Sequence, residues 1–89
     1  MERNELKVVI LDNDNVKINE IDNVNIIRLK DNKYNLMIMK DYWPLLGEIN
    51  GSITIEAGDV YDYNNIKGFY TLSHNVFHLI ILEKEREND

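Results

Sequence analysis

The stretch Leu45-Leu46-Gly47-Glu48-Ile49-Asn50-Gly51-Ser52-Ile53-Thr54-Ile55-Glu56-Ala57 decides the fold class. From Ser52 onward it alternates, with Ile53, Ile55 and Ala57 on one face and Thr54 and Glu56 on the other. Successive side chains of a strand point to opposite sides, so a period of two marks a half-buried strand. Asn50-Gly51 sits between two such runs. Both residues tolerate positive φ, which makes Asn-Gly between β-runs a strong hairpin signal. The stretch therefore reads as two strands, Leu45 to Ile49 and Ser52 to Ala57, joined by a tight turn.

The same pattern extends in both directions. Leu6 to Leu11 is a β-branched run closed by Asp12-Asn13-Asp14-Asn15, a cluster of turn formers. Val16 to Ile21 alternates, Asp22-Asn23 interrupts, and Val24 to Leu29 follows. Beyond the turn Asp31-Asn32-Lys33 comes the short run Leu36 to Met39. Lys40-Asp41-Tyr42-Trp43-Pro44 must leave the ladder, because proline lacks an N–H and holds the preceding residue extended. Gly58-Asp59 and Asn64-Asn65 bracket Val60 to Tyr63. Ile66 to Leu72, a Ser73-His74-Asn75 turn and Val76 to Leu82 complete the series. Short strands at this spacing predict an all-β sandwich or barrel, and no segment carries a helical stripe. Residues 1–82 form the expected domain, with 83–89 a charged tail. The last strand is apolar on both sides: Phe77, Leu79 and Ile81 on one, Val76, Ile80 and Leu82 on the other. Antiparallel strands normally wet one face, so this strand is either central or covered by a partner.

Composition excludes several function classes. Eighty-nine residues make one small, marginally stable domain that gains from docking. Ten basic against sixteen acidic residues leave a net charge of −6, which opposes nucleic-acid backbones and anionic lipid. With no cysteine there are no disulfides, thiolate metal sites or thiol catalysis. No apolar run is long enough to span a bilayer, and the charged start Met1 to Glu5 is unlike a signal peptide. A soluble cytoplasmic chain is the expectation. Asn, Ile and Lys supply 32 of the 89 residues, as an AT-rich bacterial coding sequence would, so most of the thirteen asparagines read as polar filler.

No constellation carries chemistry. Asp12 to Asn15 begins like a calcium loop, but the fifth, sixth and twelfth positions hold Val16, Lys17 and Asn23. His74 and His78 stand about 13 Å apart along a strand and cannot share a metal within it. Glu56, Asp59 and Asp62 read as a solvated acidic rim. The aromatic residues Tyr42, Trp43, Tyr61, Tyr63 and Tyr70 lack the basic interleaving of a base-stacking surface. Neither a nucleophile elbow nor a phosphate loop occurs. The expectation is a non-enzyme with no cofactor and no metal.

From Asn35 to Ile55, NLMIMKDYWPLLGEINGSITI resembles the central segment of the epsilon subunit (delta in mitochondria) of F-type ATP synthases. That segment reads Gly-Glu-Leu-Gly-Ile-Leu-Pro-Gly-His-Ala-Pro-Leu-Leu, a spacer, then Gly and an alternating strand. Leu36, Ile38, Pro44-Leu45-Leu46, Gly51, Ile53 and Ile55 fall on it. Gly68-Phe69, Leu72, Asn75 and Phe77 to Leu82 match the family's later Gly-Gly-Phe-Leu-Glu-Val, turn and final strand. Leu6 to Ile10 and Val16 to Ile26 fit its opening strands. Lys40-Asp41-Tyr42-Trp43 replace Pro-Gly-His-Ala, and Met37 replaces a glycine, so partner contacts are expected to differ.

The resemblance implies a flattened β-sandwich of about ten short, mostly antiparallel strands. It implies a central-stalk piece docked on a gamma-like rotor subunit, within a complex containing alpha- and beta-like ATPase subunits and peripheral to the cytoplasmic side of a membrane. A chain ending at Asp89 would lack the family's C-terminal helical pair and its ATP site. Such a chain suits a specialised ATPase, for instance one linked to gliding or surface machinery. The expected partner interface is Lys40, Asp41, Tyr42, Trp43, Leu45, Leu46, Phe77 and His78, with Tyr42 and Trp43 as anchors or Trp43 as a plug of the sandwich end. The alternative is a stand-alone β-sandwich module that binds another protein, for example by strand addition.

Overall fold

Residues rich in β-branched and aromatic side chains form seven strands in the computed structural model. It describes residues 5–13 and 15–84. Met1 to Asn4, Asp14 and the Glu85 to Asp89 part of the expected tail lie outside the described residues. The strands are β1 (Leu6–Asp12), β2 (Lys17–Val24), β3 (Ile26–Asp31), β4 (Asn35–Ile38), β5 (Leu45–Ala57), β6 (Asp59–Ser73) and β7 (Val76–Lys84). They form one sheet in the order β2-β1-β7-β6-β5-β3-β4. All neighbours are antiparallel except β1 and β7. The all-β expectation holds, with seven strands rather than about ten.

The count falls because two expected turns are strand interior. Asn50-Gly51 makes no hairpin. Both residues lie within β5, paired with Lys67 and Ile66 of β6. The turn between these strands is at Gly58, whose φ is +84°. Asn64-Asn65 likewise stays inside β6, where the register slips by one residue opposite Gly51 and Ile53. Asn65 takes φ 54° there, as a bulge residue. The extra residue preserves the inward face: Tyr63 packs on the core before it, and Ile66, Tyr70 and Leu72 are buried after it. Asn23, at φ 55°, does the same in β2, so that Ile21 and Val24 both point inward. The turn expected at Ser73 to Asn75 does form, as a two-residue hairpin loop closed by Ser73 and Val76. His74 and Asn75 have φ 50° and 63°, the type I′ pattern that suits strand twist.

The sheet folds onto itself. Four sheet steps separate β2 from β5, which in a flat sheet is about 19 Å. The two strands nevertheless touch. The first half of β5 and the second half of β6 belong to a layer with β7, β1 and β2; the other halves belong to a layer with β3 and β4. One core lies between the layers, dominated by fully buried isoleucines with Leu79 and Phe77. Phe77 stacks on Tyr70 at 5.5 Å between ring centroids. The body is correspondingly flattened, 46 × 27 × 21 Å.

Two glycines sit where the layers separate. A Cβ on Gly51 would lie 1.9 Å from the Lys30 carbonyl oxygen, and one on Gly68 would lie 1.9 Å from that of Ile80. Both obstacles are backbone. Gly68→Ala is therefore expected to lower stability by about 3 kcal/mol, read as a shift of the urea midpoint.

The end of β1 is tied to β7 by a buried charge. Asp12 is 5% exposed, Lys84 Nζ lies 2.7 Å from its Oδ2, and Asn15 donates to it through its backbone N–H and its Nδ2. β7 thus runs into the segment expected as tail. Burial by itself would raise the Asp12 carboxyl, but the hydrogen bonds from Lys84 and Asn15 and the lysine's charge outweigh it and hold it below its ordinary 3.8. Folding therefore favours the ionised form. The contribution is present above pH 3.8 and drains away as pH falls toward the lowered value. Asp12→Asn is expected to cost about 2 kcal/mol at neutral pH. The gap from the parent should narrow in urea titrations below pH 4.

Candidate partner interface

The outer surfaces of the two layers differ. On the β3–β4 side polar pairs separate the exposed apolar residues Met37 and Val60, which stand in register with Arg28 and Glu56. Arg28 Nε donates to Glu56 Oε2 at 2.8 Å, and Thr54 Oγ1 donates to Asp62 Oδ1 at 2.8 Å. On the other side the register aligns Ile18 of β2, Leu11 of β1, Ile80 of β7 and Phe69 of β6 in one row. All four are exposed, Ile18 by 63%. Val16 and Leu82 flank the row, and a shallow depression of about 430 Å³ lies among Leu11, Val16, Ile18, Ile80 and Leu82. Four sheet-aligned apolar side chains in water form a contiguous patch, the kind of surface that marks interaction sites in soluble proteins generally.

A second row runs parallel through Val9, His78, Thr71 and Leu46. Leu46 is 81% exposed and borders a depression of about 720 Å³ that Tyr34, Gly47, Phe69 and Tyr70 also line. Gly47 is needed here: its absent side chain leaves room for the Tyr70 ring, whose hydroxyl oxygen is 2.7 Å from where a Cβ would stand. Tyr34 donates its hydroxyl proton to the Glu48 carbonyl at 2.7 Å, so Tyr70 donates to Tyr34 at 2.8 Å. Burial, then this hydrogen bond, raises the Tyr70 pKa well above the usual phenol value.

The expected interface residues divide. Trp43 is 80% exposed and does not plug the sandwich; Tyr42 and Leu45 pack against the core instead. Lys40, Asp41, Leu46 and His78 are on the surface. Phe77 is fully buried and offers nothing to a partner, a correction that follows from the pleat, which turns its neighbours His78 and Val76 the other way. The loop bearing Trp43 is anchored by Asn75 of the β6–β7 turn. Its Oδ1 accepts from the Asp41 N–H at 2.6 Å and its Nδ2 donates to Asp41 Oδ1 at 3.0 Å.

Ile18, Leu11 and Phe69 escaped the sequence reading. The two-sided apolarity of Val76 to Leu82 was the available signal, and β7 proves both central and exposed on one side. For β2, alternation from Val16 implied that Ile18 faces inward. Ile18 faces out and Ile21 faces in. Among the described residues no group of three or more His, Asp or Glu side chains can hold a metal ion. No helix among them is long and apolar enough to cross a membrane.

No protein-family model matches the chain, and no curated protein matches it in sequence. Solved structures do. A chain of the Euglena gracilis mitochondrial ATP synthase, in a structure of OSCP, F1 and c-ring in rotational state 1, aligns with a TM-score of 0.75 at 15% identity. That alignment covers 93% of this chain and 54% of the other, so this chain spans about half its length. A chain in the central stalk and c-ring structure of the Tetrahymena thermophila mitochondrial ATP synthase aligns at 0.76 and 14% identity, covering 93% and 67%. The fold is thus shared with chains of ATP synthase structures, in agreement with the resemblance read from Asn35 to Ile55.

The Asn75 anchor is testable. Asn75→Gly keeps the positive φ but removes both side-chain hydrogen bonds to Asp41, and is expected to lower stability by about 1–2 kcal/mol. Asn75→Ala should cost about 1 kcal/mol more, because alanine is strained at that φ. Chemical denaturation of the two variants checks the order.

Proposed function

We propose that this chain is a non-catalytic docking domain of the central stalk of an F-type-like rotary ATPase. It binds a gamma-like rotor subunit in a complex with alpha- and beta-like subunits, peripheral to a membrane. The observation that carries this reading is the apolar row Ile18–Leu11–Ile80–Phe69 on one outer face of a domain whose fold recurs in ATP synthase structures. Removing that face from water stabilises the complex in proportion to the area covered. A domain of 89 residues gains stability from the same contact. Trp43, Leu46 and His78 extend the surface toward the loop end, with Lys40 and Asp41 on its rim.

A second reading has one observation behind it. β2 and β4 lie at the two ends of the sheet order, and an edge strand can accept another chain by strand addition. Under that reading the variants below leave binding intact.

The tagged full chain, recovered under gentle lysis, is expected to bring alpha-, beta- and gamma-like subunits with it. Which further subunits accompany them distinguishes an ATP synthase from a specialised ATPase linked to gliding or surface machinery. Ile80→Glu places a charge in the middle of the row without touching the core, and should abolish recovery of the complex. Trp43→Ala should weaken recovery while changing stability by less than about 0.5 kcal/mol, since the side chain is largely in solvent. Recovery of the chain as a lone monomer refutes the stalk role.

A further inference from the structure

We propose that Asn50 is a deamidation site controlled by the opening of the crease between the two layers, so that its conversion is a permanent record of unfolding. The chemistry begins with Gly51. A backbone nitrogen followed by no side chain attacks a neighbouring amide carbon with least hindrance. The Gly51 nitrogen bonds to Asn50 Cγ, and the Cγ–Nδ2 bond breaks. The amide leaves as ammonia, carrying the proton lost by the Gly51 N–H. Water then opens the resulting five-membered succinimide at either carbonyl, giving aspartate or isoaspartate at position 50.

The fold opposes the first step. Ring closure requires the Asn50 ψ to rotate out of the β region, and β5 is extended through this point. The backbone of Asn50 is held from both sides: its N–H donates to Asp31 Oδ1 at 2.7 Å and its carbonyl accepts from the Asn32 N–H at 3.2 Å. Lys67 of β6 is its ladder partner. Rotation therefore means releasing β5 from the β3–β4 turn and from β6 together. The reactive pair is nevertheless built in, because a Cβ at position 51 would collide with the Lys30 carbonyl oxygen. The close approach that makes the crease demands glycine after Asn50, and glycine makes Asn50 labile once the crease opens.

The two products differ structurally. Aspartate at 50 keeps the backbone and puts a carboxylate opposite Lys67. Isoaspartate adds a methylene to the main chain in mid-strand. That shifts register between Ile49 and Ile53, both fully buried, and a shifted strand presents the wrong face to the core. A copy that has stayed open long enough to form isoaspartate does not close again.

The test uses the full chain. Samples are held in buffer and in concentrated urea at one pH, and the converted asparagines are mapped by peptide mass, with isoaspartate resolved by chromatography. Asn50 is expected to convert first of the thirteen in urea, and at least tenfold more slowly in buffer. Gly68→Ala loosens the crease without altering the Asn-Gly pair, and should accelerate conversion in buffer. Asp31→Ala removes the acceptor of the Asn50 N–H and should do the same. Asn50→Asp should fold like the parent, while the isoaspartate fraction elutes as an expanded species on size exclusion. Equal rates in buffer and urea, or another asparagine converting first in urea, overturn the proposal.

Discussion

The structure depends on backbone meeting backbone at a crease. Gly51 and Gly68 stand where a side chain of any size would run into the carbonyls of Lys30 and Ile80. That contact lets one continuous sheet double over and become two layers. Once doubled, the sheet has an inside, and the isoleucines of β3, β5, β6 and β7 meet Leu6, Val8 and Ile10 there. Without the crease, the same strands would expose one whole face, since the described residues form a single sheet.

Strands whose apolar residues break the period of two need their inward pattern repaired. Asn23 and Asn65 supply the repair. Each takes a left-handed backbone, inserts one residue and restores parity, so that apolar side chains before and after the bulge face the same way. Asparagine tolerates that conformation better than most residues because its short side chain avoids the clash and bonds locally. In an asparagine-rich chain most copies looked like filler. Asn23, Asn65 and Asn75 carry positive φ, and Asn75 also holds the loop that presents Trp43.

The doubled sheet has two outer faces, and their exposed apolar side chains are arranged differently: Met37 and Val60 stand apart among polar neighbours on one, and four stand together in a row on the other. Arg28–Glu56 and Thr54–Asp62 satisfy each other on the β3–β4 side, whereas the β2–β1–β7–β6 side carries Ile18, Leu11, Ile80 and Phe69 in register. Tyr42 turns inward and Trp43 outward on the same loop, which separates the residue that packs on the core from the one left in solvent. The asymmetry lies in particular rows rather than in overall composition. The acidic balance and the modest hydropathy say nothing of it.

By itself the sequence determined the fold class, the turn at Ser73 to Asn75, the departure of the Lys40 to Pro44 loop from the ladder, and the apolar character of both sides of Val76 to Leu82. Each of these rests on neighbours within a few residues, where periodicity and turn chemistry act. Only the tertiary structure decided that Asn50-Gly51 is strand and that Gly58 turns instead. The hairpin preference of Asn-Gly is worth little against β3 and β6 pairing with β5 from both sides. Which side of β2 faces inward was also settled at that level, because a bulge at Asn23 shifts parity and only the pairing with β1 reveals it. The exposed row exists in no single segment. Its members come from four strands, and lateral pairing alone brings them into line.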